Sequence, residues 1–282
     1  FYLKKDLTER ILFLLDKIET PYSTLVGDDE VYLPQSLDQC INFLNKNSDY
    51  SSAIGRAIGY GKFNKKLYFC NVYPEFRGRH NTNDSPTERL KYHFKFYAQT
   101  HLYSVIRTNV FKEAMLHSMK MEFDLFGIWE LITEFIVLTY GKSIVLPITH
   151  WLRCLEAAPI RDTKDLGINT RDVTKRFEVW WNNPNNKVDK ERFCLKLSEI
   201  TKKIISVEDV QIIFNNYCAN KFFNKYYIAL RNSTPYKIRS LYSSYKVFRR
   251  NFLWYLSKNT KSNSKVLNSL QNQGVEIDKK SL

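Results

Sequence analysis

The sequence predicts an α/β fold followed by a helical C-terminal region. Apolar runs rich in β-branched and aromatic residues alternate with segments in which apolar residues recur at helical spacing. One β-like run, which begins at Tyr22, is followed by the three consecutive carboxylates of residues 28–30. From Thr170 onward the pattern becomes helical and basic.

These patterns divide the chain into three parts. Residues 1–160 form the expected α/β domain, and residues 161–257 form a basic helical region. Residues 258–282 are rich in Asn, Ser and Lys, a composition typical of a disordered tail.

Composition limits the class of protein. The chain has 282 residues, 44% of them hydrophobic and 15% aromatic, which is enough apolar material for a substantial core. Its formal net charge of +14 favours anionic partners, such as a nucleotide-sugar, a lipid headgroup surface, an acidic polymer or nucleic acid. The five cysteines are widely spaced and contain no C-x-x-C pair, which indicates reduced thiols in a cytoplasm. We expect neither a signal peptide nor a membrane span, since acidic residues interrupt the most apolar window, 123–140.

The first elements surround the acidic residues. Apolar residues at positions 7, 11, 14, 15 and 18 predict a helix that ends before Pro21. A strand then begins at Tyr22 and stops at Asp28. Pro34 opens a helix predicted over Gln35 to Asn47.

Two β-like runs follow, at residues 52–60 and 66–73, with a turn predicted at 59–62. Residues 74–86 are polar and contain turn formers, which predicts a mobile loop. Its basic residues are either solvated or able to reach an anionic donor when the loop closes: Arg77, Arg79 and His80. A helix is predicted to begin at residue 85.

The later elements carry further candidate residues. Residues 101–114 predict a brief strand and then a helix, with Arg107 at the junction. Arginine is suited to binding phosphate oxygens in a fork, and the alternative role for Arg107 is an ion pair with Glu113. A helix is predicted from Ile128 to a C-cap at Gly141, followed by a buried strand that ends at Pro147.

Two stretches carry a resemblance to a known family. Residues 27–34, Gly-Asp-Asp-Glu-Val-Tyr-Leu-Pro, resemble the metal-binding acidic motif of inverting glycosyltransferases of the GT-A, family-2 type. Those enzymes also have an acidic residue eleven positions before a helix-ending Gly and then a β-run that closes on Pro. Counted in this way, Glu130 falls on the position of the catalytic base. The family usually has Asp there after a second acid, whereas this chain has Trp129 and Glu130.

The resemblance covers residues 7–156 and implies an incomplete GT-A (Rossmann-like) nucleotide-diphospho-sugar transferase domain that lacks its N-terminal βα units. It implies transfer of a sugar from a nucleotide-diphosphate donor to a hydroxyl of a glycan or lipid-linked acceptor, with inversion. The implied cofactor is Mn²⁺ or Mg²⁺. The implied site consists of Glu130 as base, Asp29 and His150 as metal ligands, and three residues that contact substrate: Asp28, Arg107 and Arg153.

Each of these residues also has a structural alternative. The alternative for the acidic stretch is a solvated turn. The alternative for Glu130 is a carboxylate that satisfies free N–H groups at the start of a helix. His150 stands beside a Trp, where a histidine is commonly a packing residue. Glu134, one turn after Glu130, is expected to face solvent or to be paired.

The C-terminal region favours polyanions. Between Asp209 and Glu276 there is no acidic residue, and eleven basic residues from Lys221 to Lys265 are interleaved with Phe and Tyr. This pattern suits the anionic inner face of a membrane, which would make the protein cytoplasmic and peripheral. The alternatives are a non-catalytic fragment that binds a membrane or acceptor, and a basic nucleic-acid-binding module. No recognisable nucleic-acid motif accompanies the basic residues, so nucleic acid is the less favoured partner.

Overall fold

The structure, a computed structural model, describes residues 7–63, 66–72, 80–95, 97, 101–121, 123, 125, 127–155 and 176–222. This part of the chain is mixed α/β. Its helices are α1 (Leu7–Leu15), α2 (Pro34–Lys46), α3 (Pro86–Lys95), α4 (Thr108–Lys120), α5 (Ile128–Tyr140), α6 (Phe177–Asn182), α7 (Lys187–Ile200) and α8 (Val207–Phe222). Its strands are β1 (Tyr22–Ser23), β2 (Val31–Tyr32), β3 (Tyr50–Phe63), β4 (Lys66–Asn71), β5 (Val105–Arg107) and β6 (Lys142–Cys154).

One sheet organises the described residues. Its strand order is β1-β5-β3-β6-β2, and β4 pairs with β3. The two long central strands, β3 and β6, run parallel, whereas the other described pairs are antiparallel. Helix α2 packs on the face that carries Ala53 and Val105, and the layer that contains α4 and α5 covers the face that carries Ile106.

The predicted helices around the acidic stretch and after residue 127 are confirmed. Helix α2 begins at Pro34, whose missing N–H is not needed in the first turn. Helix α5 ends at Tyr140, before Gly141, where the chain must pass closely behind β3. A Cβ at Gly141 would lie only 2.6 Å from the Ser51 backbone nitrogen.

Three predicted strand ends are wrong. The first strand spans only Tyr22 and Ser23, so the carboxylates lie in a turn before β2 rather than at the end of β1. Strand β3 continues to Phe63 through the turn predicted at residues 59–62, because its glycines are held in the ladder by pairing to β4 and β6. Strand β6 continues beyond Pro147 to Cys154.

A bulge explains why Pro147 does not end β6. Ile54 pairs with Val145, but Arg56 pairs with Thr149, so β6 has two extra residues in this interval. Proline is tolerated at a bulge because its missing N–H is not required there. Gly55 lies opposite, where a Cβ would be 2.7 Å from the Ile148 carbonyl oxygen.

Helices α6, α7 and α8 share the main hydrophobic core with α3, α4 and α5. Phe214 of α8 is fully buried, and its ring stacks on Phe135 of α5 at 5.8 Å between centroids. It also lies 5.0 Å from Phe94 of α3. The boundary predicted at residue 160 therefore marks a change in sequence pattern. The helices described on its two sides pack together in one core.

Other predictions fall outside the described residues. Arg77 and Arg79 of the polar loop, residues 223–257 of the basic region and the tail 258–282 belong to that part of the chain. Among the described helices, none has the length and apolar character needed to cross a bilayer.

The shared core leads to a first prediction. Phe214→Ala should lower the free energy of unfolding by about 3–5 kcal/mol, because it removes a fully buried aromatic ring between two helical layers. Chemical denaturation followed by Trp fluorescence measures this change. Ile212→Ala is the matched control, since Ile212 lies on the same helix and is 45% exposed. Loss of stability confined to a separate transition of residues 176–222 would contradict a shared core.

Candidate functional site

The acidic residues form a tight turn. The Glu30 amide donates to the Gly27 carbonyl oxygen at 3.2 Å, and the side chains of Asp28 and Asp29 are exposed. A Cβ at Gly27 would lie 3.1 Å from Asp29 Oδ1 and 3.5 Å from the carboxyl carbon of Glu30. The carboxylates of Asp29 and Glu30 thus both fold back over the space that the glycine leaves open.

Glu30 is the buried member of this turn. Its side chain is only 6% exposed, and its Oε1 lies 3.6 Å from Nε of Arg153. Its other oxygen, Oε2, is buried and has no hydrogen-bond partner among the described residues. Burial raises the pKa of Glu30, with the charge of Arg153 acting in the opposite direction and that of Asp29 adding to the increase.

The central strands hold this turn at their carboxyl ends. The Tyr60 hydroxyl of β3 donates to the Asp29 carbonyl oxygen at 2.9 Å. Arg153 of β6 lies over the Tyr103 ring, 5.7 Å from its centroid, and that ring stacks on Trp151 at 5.4 Å. The site therefore combines exposed carboxylates with an arginine that is fixed against an aromatic pair.

His150 lies beneath α2. Its Nδ1 is 3.2 Å from Ser36 Oγ and 3.9 Å from Cys40 Sγ, and its ring contacts Tyr32 edge-on at 4.9 Å. Burial lowers the pKa of His150 to about 4, so the imidazole is neutral at physiological pH. Its role as a metal ligand beside Asp29 stays a prediction, and its described contacts are those of a buried polar side chain.

Arg107 holds the end of α2. Its guanidinium donates to the carbonyl oxygens of Leu44 and Asn47, at 2.7 and 3.0 Å, and to that of Tyr50 at 2.8 Å. These carbonyls lie at and after a helix C-terminus, where a cation is favourable. From the sequence, the expected partner of Arg107 is phosphate or Glu113. Its carbonyl partners were missed because only the fold brings these carbonyls close to Arg107.

Glu130 is half-buried in the first turn of α5. Helix α5 packs against the short 3-10 helix His101–Tyr103, which also provides the ring under Arg153. The structure places Asp28 and Asp29 in one turn, and Arg153 of β6 reaches that turn through its contact with Glu30. Glu130 lies on a different element from that turn, in the first turn of helix α5.

The sequence analysis missed a buried polar network that connects helices α3 and α5 with the 3-10 helix and the start of β6. Glu134 is fully buried, and its Oε2 lies 2.6 Å from His93 Nε2. The His93 ring contacts that of His101 at 4.7 Å. His101 in turn contacts Asn81 and Ser143, at 3.1 and 3.0 Å. Glu134 and His93 both lie at core positions of their helices. A charge that interrupts an otherwise apolar helical pattern is the sequence signal that could have identified them.

No metal cage is formed by side chains in the described ranges, where no three His, Cys, Asp or Glu residues are grouped to hold an ion. A scan against models of known protein families finds no match, and a search of curated proteins finds no significant match. The site's geometry is therefore the basis for a functional proposal.

The contacts of Arg107 yield a second prediction. Arg107→Lys should lower the free energy of unfolding by about 1–3 kcal/mol, because three part-buried carbonyl oxygens lose their guanidinium donors. Chemical denaturation measures this loss. Arg192→Lys is the control, since that side chain is 59% exposed. Unchanged stability together with weaker binding of pyrophosphate would instead favour the substrate role.

The neutral buried histidines yield a third prediction. Burial lowers the pKa of His101 to about 3, with nearby His93 adding to the decrease, and that of His150 to about 4. An unfolded histidine has a pKa of about 6.5, so below that pH the unfolded chain binds more protons than the folded chain. The free energy of unfolding should therefore fall as the pH decreases from 6.5 towards 4, by up to about 1.4 kcal/mol per pH unit for each histidine.

The measurement is the free energy of unfolding in urea across this pH range at constant ionic strength. His150→Phe should make the slope shallower by about one proton. The control is His117→Gln, because the His117 side chain is 33% exposed. Equal slopes in the His150 variant and the native chain would contradict the assignment of a neutral buried imidazole.

Proposed function

We propose that this chain is a metal-assisted glycosyltransferase that moves a sugar from a nucleotide-diphosphate donor to a hydroxyl acceptor with inversion. One observation carries the proposal. The acidic turn, with exposed Asp28 and Asp29, meets Arg153 at the carboxyl ends of the parallel strands β3 and β6. Carboxyl ends of parallel strands are where α/β proteins bind ligands, and this edge offers groups for both a cation and a diphosphate.

The turn suits Mg²⁺ or Mn²⁺. Such hard cations take oxygen ligands, and Mg²⁺ is commonly held by one or two carboxylates together with waters and substrate phosphates. Asp29 and Glu30 fold towards the same space over Gly27, which supplies two carboxylates without a dedicated protein cage. When bound, the ion would act as a Lewis acid that stabilises the departing diphosphate.

The side chains of the turn have distinct roles in this proposal. Asp29 holds the cation, and the exposed Asp28 contacts the donor. Arg153 neutralises diphosphate oxygens, a task that suits a planar guanidinium already held against Tyr103. Arg107 binds carbonyls at the end of α2 and at the amino end of β3, away from the acidic turn, so in this proposal it has a structural role and does not bind substrate.

Glu130 is the proposed base. A single in-line displacement at the anomeric carbon needs a group on the face opposite the leaving diphosphate that takes the proton of the acceptor hydroxyl. A half-buried carboxylate at the start of a largely apolar helix is suited to this task. The longer arm of Glu relative to Asp moves the carboxylate one methylene further from the helix.

The finer fold assignment in the proposal is an incomplete GT-A (Rossmann-like) domain. A parallel pair with helices on both faces is compatible with it. The proposed acceptor is a glycan or a lipid-linked hydroxyl. The basic residues after Lys221 would hold the protein at an anionic inner membrane face, in the cytoplasm.

Loss of turnover in site variants is the fourth prediction. With Mn²⁺ or Mg²⁺ and a panel of nucleotide-diphosphate sugars, Asp29→Ala should remove donor turnover because the cation loses its ligand. Glu130→Gln should lower turnover by about 10²–10⁴-fold, the usual contribution of a general base. Release of the nucleoside diphosphate is the measured quantity.

Glu113→Gln is the matched control, since it removes a half-exposed carboxylate from the neighbouring helix α4. Thermal unfolding establishes that each variant is folded. Full turnover in both site variants would overturn the assignment. Binding of oligonucleotides in place of nucleotide-sugars would instead support the nucleic-acid alternative.

A further inference from the structure

We propose that Gly27, Asp29 and Glu30 form a preset pocket for a divalent cation, in which Tyr60 is the positioning residue. The Tyr60 hydroxyl holds the Asp29 backbone, so that the Asp29 carboxylate lies over the space left by Gly27. The inference rests on the proposed function for its ligand, a divalent cation. It deepens that function by adding a positioning residue that lies outside the acidic stretch.

The first step of the argument is the space over Gly27. A Cβ at this position would lie 3.1 Å from Asp29 Oδ1, and 3.4 and 3.5 Å from Cγ and the carboxyl carbon of Glu30. The Gly27 backbone is not in the left-handed region, so its conformation alone does not require glycine. The missing side chain therefore leaves room beside two carboxylates.

The second step is an oxygen at this pocket that lacks a partner. The Glu30 side chain is only 6% exposed, and its Oε2 has no hydrogen-bond partner among the described residues. Buried carboxylate oxygens normally have one. Oε2 would gain a partner from a cation bound to Asp29 over Gly27, while Oε1 keeps its contact with Arg153. The pocket therefore requires no change at Arg153.

The third step is the anchor of Asp29. Tyr60 pairs with Cys154 near the carboxyl ends of β3 and β6, and its hydroxyl donates to the Asp29 carbonyl oxygen at 2.9 Å. Burial raises the pKa of Tyr60, with neighbouring Cys154 adding to the increase, so the hydroxyl keeps its proton at neutral pH and remains a donor. The two long strands thereby fix one backbone atom of the acidic turn.

The fourth step is the charge of the turn. Three consecutive carboxylates repel one another, and this repulsion favours opening of the turn when no cation is bound. The Tyr60 hydrogen bond opposes that opening. It keeps the carboxylates in place before the cation arrives, so binding has a smaller ordering cost.

Titration of the full chain with Mn²⁺ tests the positioning role without any turnover. Electron paramagnetic resonance measures free Mn²⁺ and hence the affinity. Tyr60→Phe should weaken Mn²⁺ binding by about three- to tenfold, which corresponds to the loss of one hydrogen bond. Tyr140→Phe is the matched control and should leave the affinity unchanged, because its hydroxyl donates to a carbonyl of the helical layer, that of Ile200, at 3.2 Å.

A second variant acts on the space itself. Gly27→Ala should weaken Mn²⁺ binding because the new Cβ displaces the Asp29 carboxylate. Gly127→Ala is the matched control, since a Cβ at Gly127 meets no atom within 4 Å, and its Mn²⁺ affinity should equal that of the native chain.

Cation selectivity separates a positioning role from a loss of stability. Mg²⁺ demands near-ideal octahedral geometry, whereas Ca²⁺ accepts irregular coordination. Tyr60→Phe should therefore weaken Mg²⁺ more than Ca²⁺, by at least about twofold in the ratio of their affinities. Competition against bound Mn²⁺ measures both affinities. A tyrosine with a merely structural role would lower the free energy of unfolding in EDTA and leave this ratio unchanged.

The outcomes are distinct from those of the proposed function. Unchanged Mn²⁺ affinity in Tyr60→Phe, an equal loss in Tyr140→Phe, an unchanged selectivity ratio, or no Mn²⁺ binding by the native chain overturns the preset pocket. Donor turnover alongside any of these results leaves the transferase proposal standing. The expected affinities without donor turnover support the preset pocket and overturn the transferase proposal. If thermal unfolding shows that Tyr60→Phe does not fold, Gly27→Ala decides, because it displaces the same carboxylate.

Discussion

The parallel pairing of β3 with β6 is the constraint on which the rest of the structure depends. Two strands of 14 and 13 residues end at the same edge of the sheet only because they run in the same direction. Tyr60 and Arg153 stand at that edge and hold the acidic turn between them. A slip of one residue would move Arg153 to the opposite face. After the bulge near Pro147, His150 faces α2 and Trp151 packs against Tyr103.

At the amino end of β6, the polar network fixes how the helical layer packs on the sheet. A fully buried Glu134 is tolerable only with a close partner, which His93 provides. His101 extends the network to Ser143 at the start of β6. Because buried polar groups are costly when their partners shift, such a network admits few arrangements of the surrounding elements. The 3-10 helix that carries Tyr103 is thereby positioned from both sides.

The sequence predicts features that depend on local chemistry. Pro34 marks a helix start because its backbone property acts within one turn, and Gly141 marks a helix end at which the chain passes close to Ser51. The lengths of β3 and β6 were missed, since the glycines near residue 59 and Pro147 are local signals that neighbouring strands override. Of the site, the sequence located the acidic turn and Arg153. It did not predict that Arg107 binds helix carbonyls or that Glu134 is buried, because both depend on contacts between distant residues.

The acidic turn repels anions at short range, and the positive net charge of the chain does not remove this repulsion. A net charge of +14 would attract the proposed diphosphate at long range and raise its encounter rate. At contact distance, however, the carboxylates of residues 28–30 repel it, and Coulomb terms between close groups exceed a screened distant field. Arg153, whose Nε lies 3.6 Å from Glu30 Oε1, is the described cation beside these carboxylates. In the proposed function, a cation bound at the turn would reverse the local sign of the charge, so that the basic composition and the site would both favour an anionic ligand, the first at long range and the second at contact.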